Sequence, residues 1–183
     1  MAYQKKYGTY SSAFGAGIVG AVTMTILMVI ARAMGLTTMN LEMMLGSMIT
    51  STFGTGTWVL GFAWHVINGG VFALIYAAGF KQYGKANVTL GAAFGFVHWI
   101  VAGIFMGLLP AMHPLIPVAL SAPGYFAAST GVFNFFAELV MHLIYGGIVG
   151  AIYQDSADQG RIVAPPQATA VDIPERKRFR QVP

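Results

Sequence analysis

His65-Val66-Ile67-Asn68-Gly69-Gly70-Val71-Phe72-Ala73-Leu74-Ile75-Tyr76 sits inside a stretch, residues 56–80, that contains no Lys, Arg, Asp or Glu. About 20 such residues, wound as a helix, cross a hydrocarbon core of about 30 Å. In hydrocarbon the backbone must satisfy its own hydrogen bonds, so the stretch reads as a spanning helix and not as an open strand. Three further stretches are long and largely apolar, with Arg32 near the end of the first and Glu138 within the last: residues 12–34, 88–110 and 129–153. None has Lys or Arg in its middle. The expected fold class is therefore all-α integral membrane, with four transmembrane helices running up-down-up-down.

The quoted pattern returns as His142-Leu143-Ile144-Tyr145-Gly146-Gly147-Ile148-Val149-Gly150-Ala151-Ile152-Tyr153, an offset of 77 residues. Ala13-Phe14-Gly15 is echoed by Ala93-Phe94-Gly95 at an offset of 80. These matches predict a tandem duplication of a helical hairpin, with a pseudo-twofold axis along the membrane normal. Chance similarity between Gly-rich apolar segments is the alternative. Gly69 and Gly70, like Gly146 and Gly147, follow their histidine by about one turn. Small residues at this spacing let another helix, or a flat cofactor, approach the backbone closely.

Composition agrees with this class. Of 183 residues, 56% are hydrophobic and only 9% charged, against about 25% charged in soluble domains. The absence of Cys excludes disulfides, thiolate catalysis and Cys-ligated zinc or iron–sulfur centres. The net charge of +4 does not point to nucleic acid, because the basic residues flank the spans. Lys5 and Lys6 precede the first span, Lys81 and Lys85 lie between the second and third, and Arg161, Arg176, Lys177, Arg178 and Arg180 follow the fourth. By the positive-inside rule, that side is cytoplasmic and both termini lie there. The run from about Ser12 to Ile30 exceeds the 7–15 residues of a signal-peptide core, so it reads as a span.

Residues 1–11 form a cytoplasmic N-terminus, residues 12–153 the membrane domain, and residues 154–183 a cytoplasmic tail, disordered unless bound. The first outer loop, about 35–55, has the spacing of a short interfacial amphipathic helix. The second, about 110–128, is apolar but broken by Pro110, Pro114, Pro117 and Pro123.

Four ionisable groups fall within the spans: His65, His98, Glu138 and His142. Such groups are costly in hydrocarbon and are functional candidates by default. With Tyr76 and Tyr153 taken as inner-interface markers, each 11 residues past its histidine, the histidines lie about 16 Å in, near one level. Several chemistries fit these residue types. His65 and His142 on diagonal helices, with His98 beside them, suit the axial ligands of a b-type haem. Glu138 and His142, one turn apart, with His98, suit a metal site. Glu138 with the histidines suits a proton or solute path. On the outer side, Met39, Met43, Met44, Met48, Met112 and His113 suit Cu(I). Against all of these stands the structural alternative, in which each histidine makes one interhelical hydrogen bond, to a carbonyl, Asn68, Asn134 or Glu138. Arg32 and Glu42 are candidates for an ion pair at the outer interface.

Gly20-Ala21-Val22-Thr23-Met24-Thr25, Ala31-Arg32-Ala33-Met34-Gly35, Met44-Leu45-Gly46-Ser47-Met48 and the His-Gly-Gly pattern resemble uncharacterised small four-helix bacterial membrane proteins, over about residues 12–153. The resemblance implies a bacterial inner membrane and carries over no catalytic residue. The leading functional expectation is a non-catalytic accessory subunit of a larger bacterial membrane complex, respiratory or photosynthetic among the candidates. Its partners would be the lipid bilayer and other membrane subunits, with the basic tail as a contact. A bis-histidine haem electron carrier and a small transporter using Glu138 are the rivals.

Overall fold

The structure, a computed structural model, describes residues 8–162, with side chains as far as Gln154. Lys5, Lys6 and the basic run Glu175–Arg180 lie outside the described residues. The described chain is helical: α1 (Tyr10–Ala33), α2 (Leu41–Thr50), α3 (Thr55–Tyr83), α4 (Val88–Leu108) and α5 (Val132–Ile162). Four of these, α1, α3, α4 and α5, are long and apolar enough to cross a membrane.

Local chemistry sets the helix ends. Thr9 accepts the Ser12 amide and caps α1, Asn40 accepts the Met43 amide and caps α2, and Asn87 accepts the Leu90 amide and caps α4. Gly35 (φ 72°) and Gly84 (φ 69°) take left-handed conformations after α1 and α3. Each lets the next amide reach back, Leu36 to the Ala31 carbonyl and Lys85 to the Phe80 carbonyl, which closes the last turn. The fourth span starts three residues later than the sequence suggests. Tyr125–Thr130 forms a separate short 3₁₀ segment, with Phe126 and Ala127 at left-handed angles, and Gly131 (φ 113°) breaks it from α5.

Glycine sets the packing of the long helices. Gly17 of α1 lies on the Gly69 carbonyl of α3, and Gly91 of α4 lies on the Gly146 carbonyl of α5, so close that a Cβ at either position would overlap it. Lipid offers no hydrophobic drive for helix association, so such backbone-to-backbone dispersion contacts dominate. Tyr145 of α5 lies on Gly20 of α1. Neighbouring helices run antiparallel, in the order α3, α1, α5, α4 around the bundle, and α3 and α4 touch little.

The two ends differ. At the end that carries Lys81, its ammonium sits 3.6 Å above the Tyr10 ring and the Tyr153 hydroxyl donates to the Gly8 carbonyl (2.9 Å). At the other end α2 and the loop after α4 cover the bundle. There His113 is buried, donates from Nε2 to the Met44 carbonyl (2.9 Å) and accepts at Nδ1 from the Leu115 amide (3.1 Å). Both its nitrogens are used in tying this loop to α2. Met39 and Met44 are buried there against Met106, Leu109 and Ile116, in an apolar cluster.

Candidate functional site

Helix α2 reaches α3 where both lack side chains. A Cβ on Gly61 would overlap the Glu42 carbonyl, and one on Gly46 would overlap the Thr57 carbonyl. His65 is one helical turn beyond Gly61, so this crossing brings the Glu42 side chain beside it. Glu42 Oε1 is 3.9 Å from His65 Nδ1, and Thr25 Oγ1 of α1 is 3.1 Å from the same nitrogen. The other carboxylate oxygen is 3.6 Å from Arg32 Nη2, while Arg32 Nη1 donates to the Met39 carbonyl (3.1 Å). Glu42 is only 1% exposed. The pairing of Arg32 with Glu42 is thus half of a buried Arg–Glu–His chain, which the sequence alone leaves at the interface.

A second cluster faces it from α4 and α5. His142 donates from Nδ1 to the Glu138 backbone carbonyl (2.7 Å), which leaves Nε2 of the neutral ring as an acceptor. The Glu138 carboxyl is 3.7 Å from the same Nδ1 and forms no hydrogen bond with any described residue. The His98 ring meets the His142 ring edge-on, with centroids 4.8 Å apart, and stacks on Phe72 at 4.0 Å. His98 Nδ1 lies 3.3 Å from the Tyr76 hydroxyl. The Tyr145 hydroxyl donates to the Gly69 carbonyl.

Between the clusters is a cavity of about 450 Å³. All three spanning histidines line it, together with Asn68 and Glu138. Its volume is that of a small-molecule site. Met44, Leu45 and Met48 of α2 form its cover. Two of its lining residues on α4, Val101 and Phe105, are 53% and 51% exposed, and α3 and α4 touch little. Towards the lysine end it is shut by rings. Tyr76 packs edge-on against Phe94 and Tyr145, and Phe80 stacks on Tyr153.

The sequence-predicted residues divide between two jobs. His65, His98, His142, Glu138 and Asn68 converge on the cavity. The glycines are taken up mostly by packing: Gly70 lies under Phe14, Gly146 on Gly91, and Gly147 beside Val88, while Gly69 packs on α1 and also lines the cavity. Among the described residues no three His, Asp or Glu side chains are grouped as they would be to hold a metal ion. Tyr76 and Tyr153, read as interface markers, are buried instead, their hydroxyls turned to His98 and Gly8. Asn134 bonds with Thr37 and Thr130, and reaches none of the histidines. Sequence reasoning missed the depth of Glu42. The signal for it was a pair of matched spacings, Glu42 with Gly46 and Gly61 with His65.

The chain matches no known protein family, no curated protein and no solved structure.

Proposed function

We propose that this chain is a multi-pass membrane protein that binds a lipid-soluble small molecule with a polar head, admitted sideways from the bilayer between α3 and α4. The observation that carries this assignment is the cavity itself. Its wall is apolar and aromatic, it holds three imidazoles, a carboxyl and an amide, and the half-exposed Val101 and Phe105 of its lining would face the hydrocarbon. An apolar pocket with a few convergent polar groups is the ordinary form of a ligand site. The ring packing that shuts the lysine end favours a bound ligand over a conducted one. The accessory-subunit expectation drew on Gly-rich helix faces and on the basic tail, which lies outside the described residues.

The same proposal includes sidedness and origin. Lys81, Lys85 and the basic termini would face the cytoplasm, and the resemblance noted above suggests a bacterial inner membrane. Gly69 has Gly17 as its partner and Gly146 has Gly91. This equivalence supports a duplicated hairpin, although it relates α1 to α4 by an offset of 74 and not by the 80 of the Phe-Gly echo.

The test uses a neutral probe, triphenylphosphine oxide, with the protein in phosphatidylcholine nanodiscs. Trp64 lines the cavity, so its fluorescence is read in a W58F/W99F background. Saturable quenching that is lost in Ala102→Phe, which fills the cavity, is the expected result. Quenching that rises without saturating, or is indifferent to Ala102→Phe, would mean the probe reports only lipid.

A further inference from the structure

Resting on that ligand-site reading, we infer that the molecule admitted is a lipophilic cation, held by the Glu138 carboxylate in competition with a proton. Glu138 is 8% exposed and lines the cavity, and its carboxyl has no hydrogen-bond partner among the described residues. A lone carboxylate in so dry a place is costly, and either a proton or a cation offsets that cost. Among the described residues no Lys or Arg is paired with it. The charge of Arg32 is engaged by Glu42 and the Met39 carbonyl. His142 Nδ1 donates its proton to a backbone carbonyl, and its Nε2 is an acceptor.

The remaining lining suits positive charge on a greasy body. Trp64, Phe72 and Phe105 present ring faces or edges to the cavity, and four thioethers, Met24, Met44, Met48 and Met106, present polarizable sulfur. Aromatic faces attract organic cations, most strongly when water is excluded. Methionine adapts its shape to varied apolar ligands. The Asn68 side-chain amide, hydrogen-bonded to none of the described residues, adds a further acceptor oxygen. Among the side chains described, an anionic ligand would find no free cation there.

Acidification should weaken such binding. The titratable and charged groups that face Glu138 are His142 on its own helix, His98 on α4, His65 on α3, and the Glu42–Arg32 pair from α2 and α1. Protonating a carboxylate removes negative charge and protonating an imidazole adds positive charge. Both act in the same direction on a cation.

Tetraphenylphosphonium and tetraphenylborate have the same shape and opposite charge, and triphenylphosphine oxide is a neutral relative. Each is titrated onto the full chain in phosphatidylcholine nanodiscs. Tetraphenylphosphonium is expected to bind saturably, and more weakly as the pH falls from about 8 to about 5. Tetraphenylborate is expected not to compete. Glu138→Gln should weaken tetraphenylphosphonium by about thirtyfold, the order of effect for removing one partner of a buried charge pair, and weaken the neutral probe far less. Retained binding of the neutral probe also shows that the variant folds. If the neutral probe binds while the cation does not, or if Glu138→Gln leaves the cation unaffected, the cation inference is overturned and the ligand site stands. If neither binds, both fall.

Discussion

The lysine end of the bundle and the end under α2 are built from the same four long helices, yet one is solid and the other hollow. Towards Lys81, small residues draw the helices together and rings fill the centre: Phe80, Phe94, Tyr145 and Tyr153 leave no room between α3 and α4. Towards α2, Trp64 of α3 and Val101 and Phe105 of α4 line an open space. The short helix α2 covers the space from above and does not fill it. The difference teaches that glycine placement decides where a membrane bundle closes, and that polar side chains gather where it does not.

The comparison is most easily broken at the solid end. Gly146→Leu would set a side chain against the Gly91 carbonyl and force α4 from α5. A loss of about 3 kcal/mol in unfolding free energy is expected, at the upper end for overpacking a tight contact. A loss below about 1 kcal/mol would show that the pair separates freely and that glycine is not what closes this end. The next effect separates the two carboxyl groups of the hollow end. Glu42→Gln leaves Arg32 and His65 without their shared partner and should cost about 2 kcal/mol, less than for a fully buried pair because Arg32 is partly exposed. An unchanged stability would remove Glu42 from any structural role.

Smaller effects sharpen the contrast. Tyr145→Phe removes the hydroxyl that donates to the Gly69 carbonyl and should cost about 0.6 kcal/mol, the usual size of a hydrogen bond within a membrane bundle. A cost several times larger would make that bond a main tie between α3 and α5. Glu138→Gln should leave stability within about 0.5 kcal/mol of the parent, since the carboxyl has no hydrogen bond to lose among the described residues and Gln keeps its place beside the His142 ring. Marked destabilisation by this variant would mean that Glu138 holds the fold and is not kept free for a ligand. All four variants are read by the same reversible unfolding measurement in one bilayer mimetic.

Much of the fold was legible because membrane helices announce themselves by length and by the absence of charge. The bounds expected for the first three spans fall within about three residues of α1, α3 and α4. The short helix in the first outer loop was legible from its amphipathic spacing, and α2 occupies Leu41–Thr50. The late start of α5 was not, because Ser129, Thr130 and Gly131 are small residues that a span accepts, and only the backbone break at Gly131 keeps them out. The site was half legible. His65, His98, His142 and Glu138 stood out as ionisable groups in apolar runs, but their convergence depends on helix rotation, which Gly17, Gly69, Gly91 and Gly146 set through contacts between distant positions. Glu42 was hidden for a related reason. A glutamate in a short polar-faced helix reads as solvated until the Gly46–Gly61 crossing turns it inward.

The bond from the Tyr153 hydroxyl to the Gly8 carbonyl makes the start of α1 and the far part of α5 neighbours at one end of the bundle. In space the membrane domain is therefore a loop of helices whose order in the polypeptide is one of several that would trace it. Cutting the turn at residues 84–86 and joining residue 154 to residue 8 through a short linker gives the order α4, α5, α1, α2, α3. Such a permuted chain should assemble into the same bundle, with unfolding close to that of the parent. In it, α3 and α4, which flank the proposed entrance, become the two ends of the chain, and the cavity becomes the gap between the first helix made and the last.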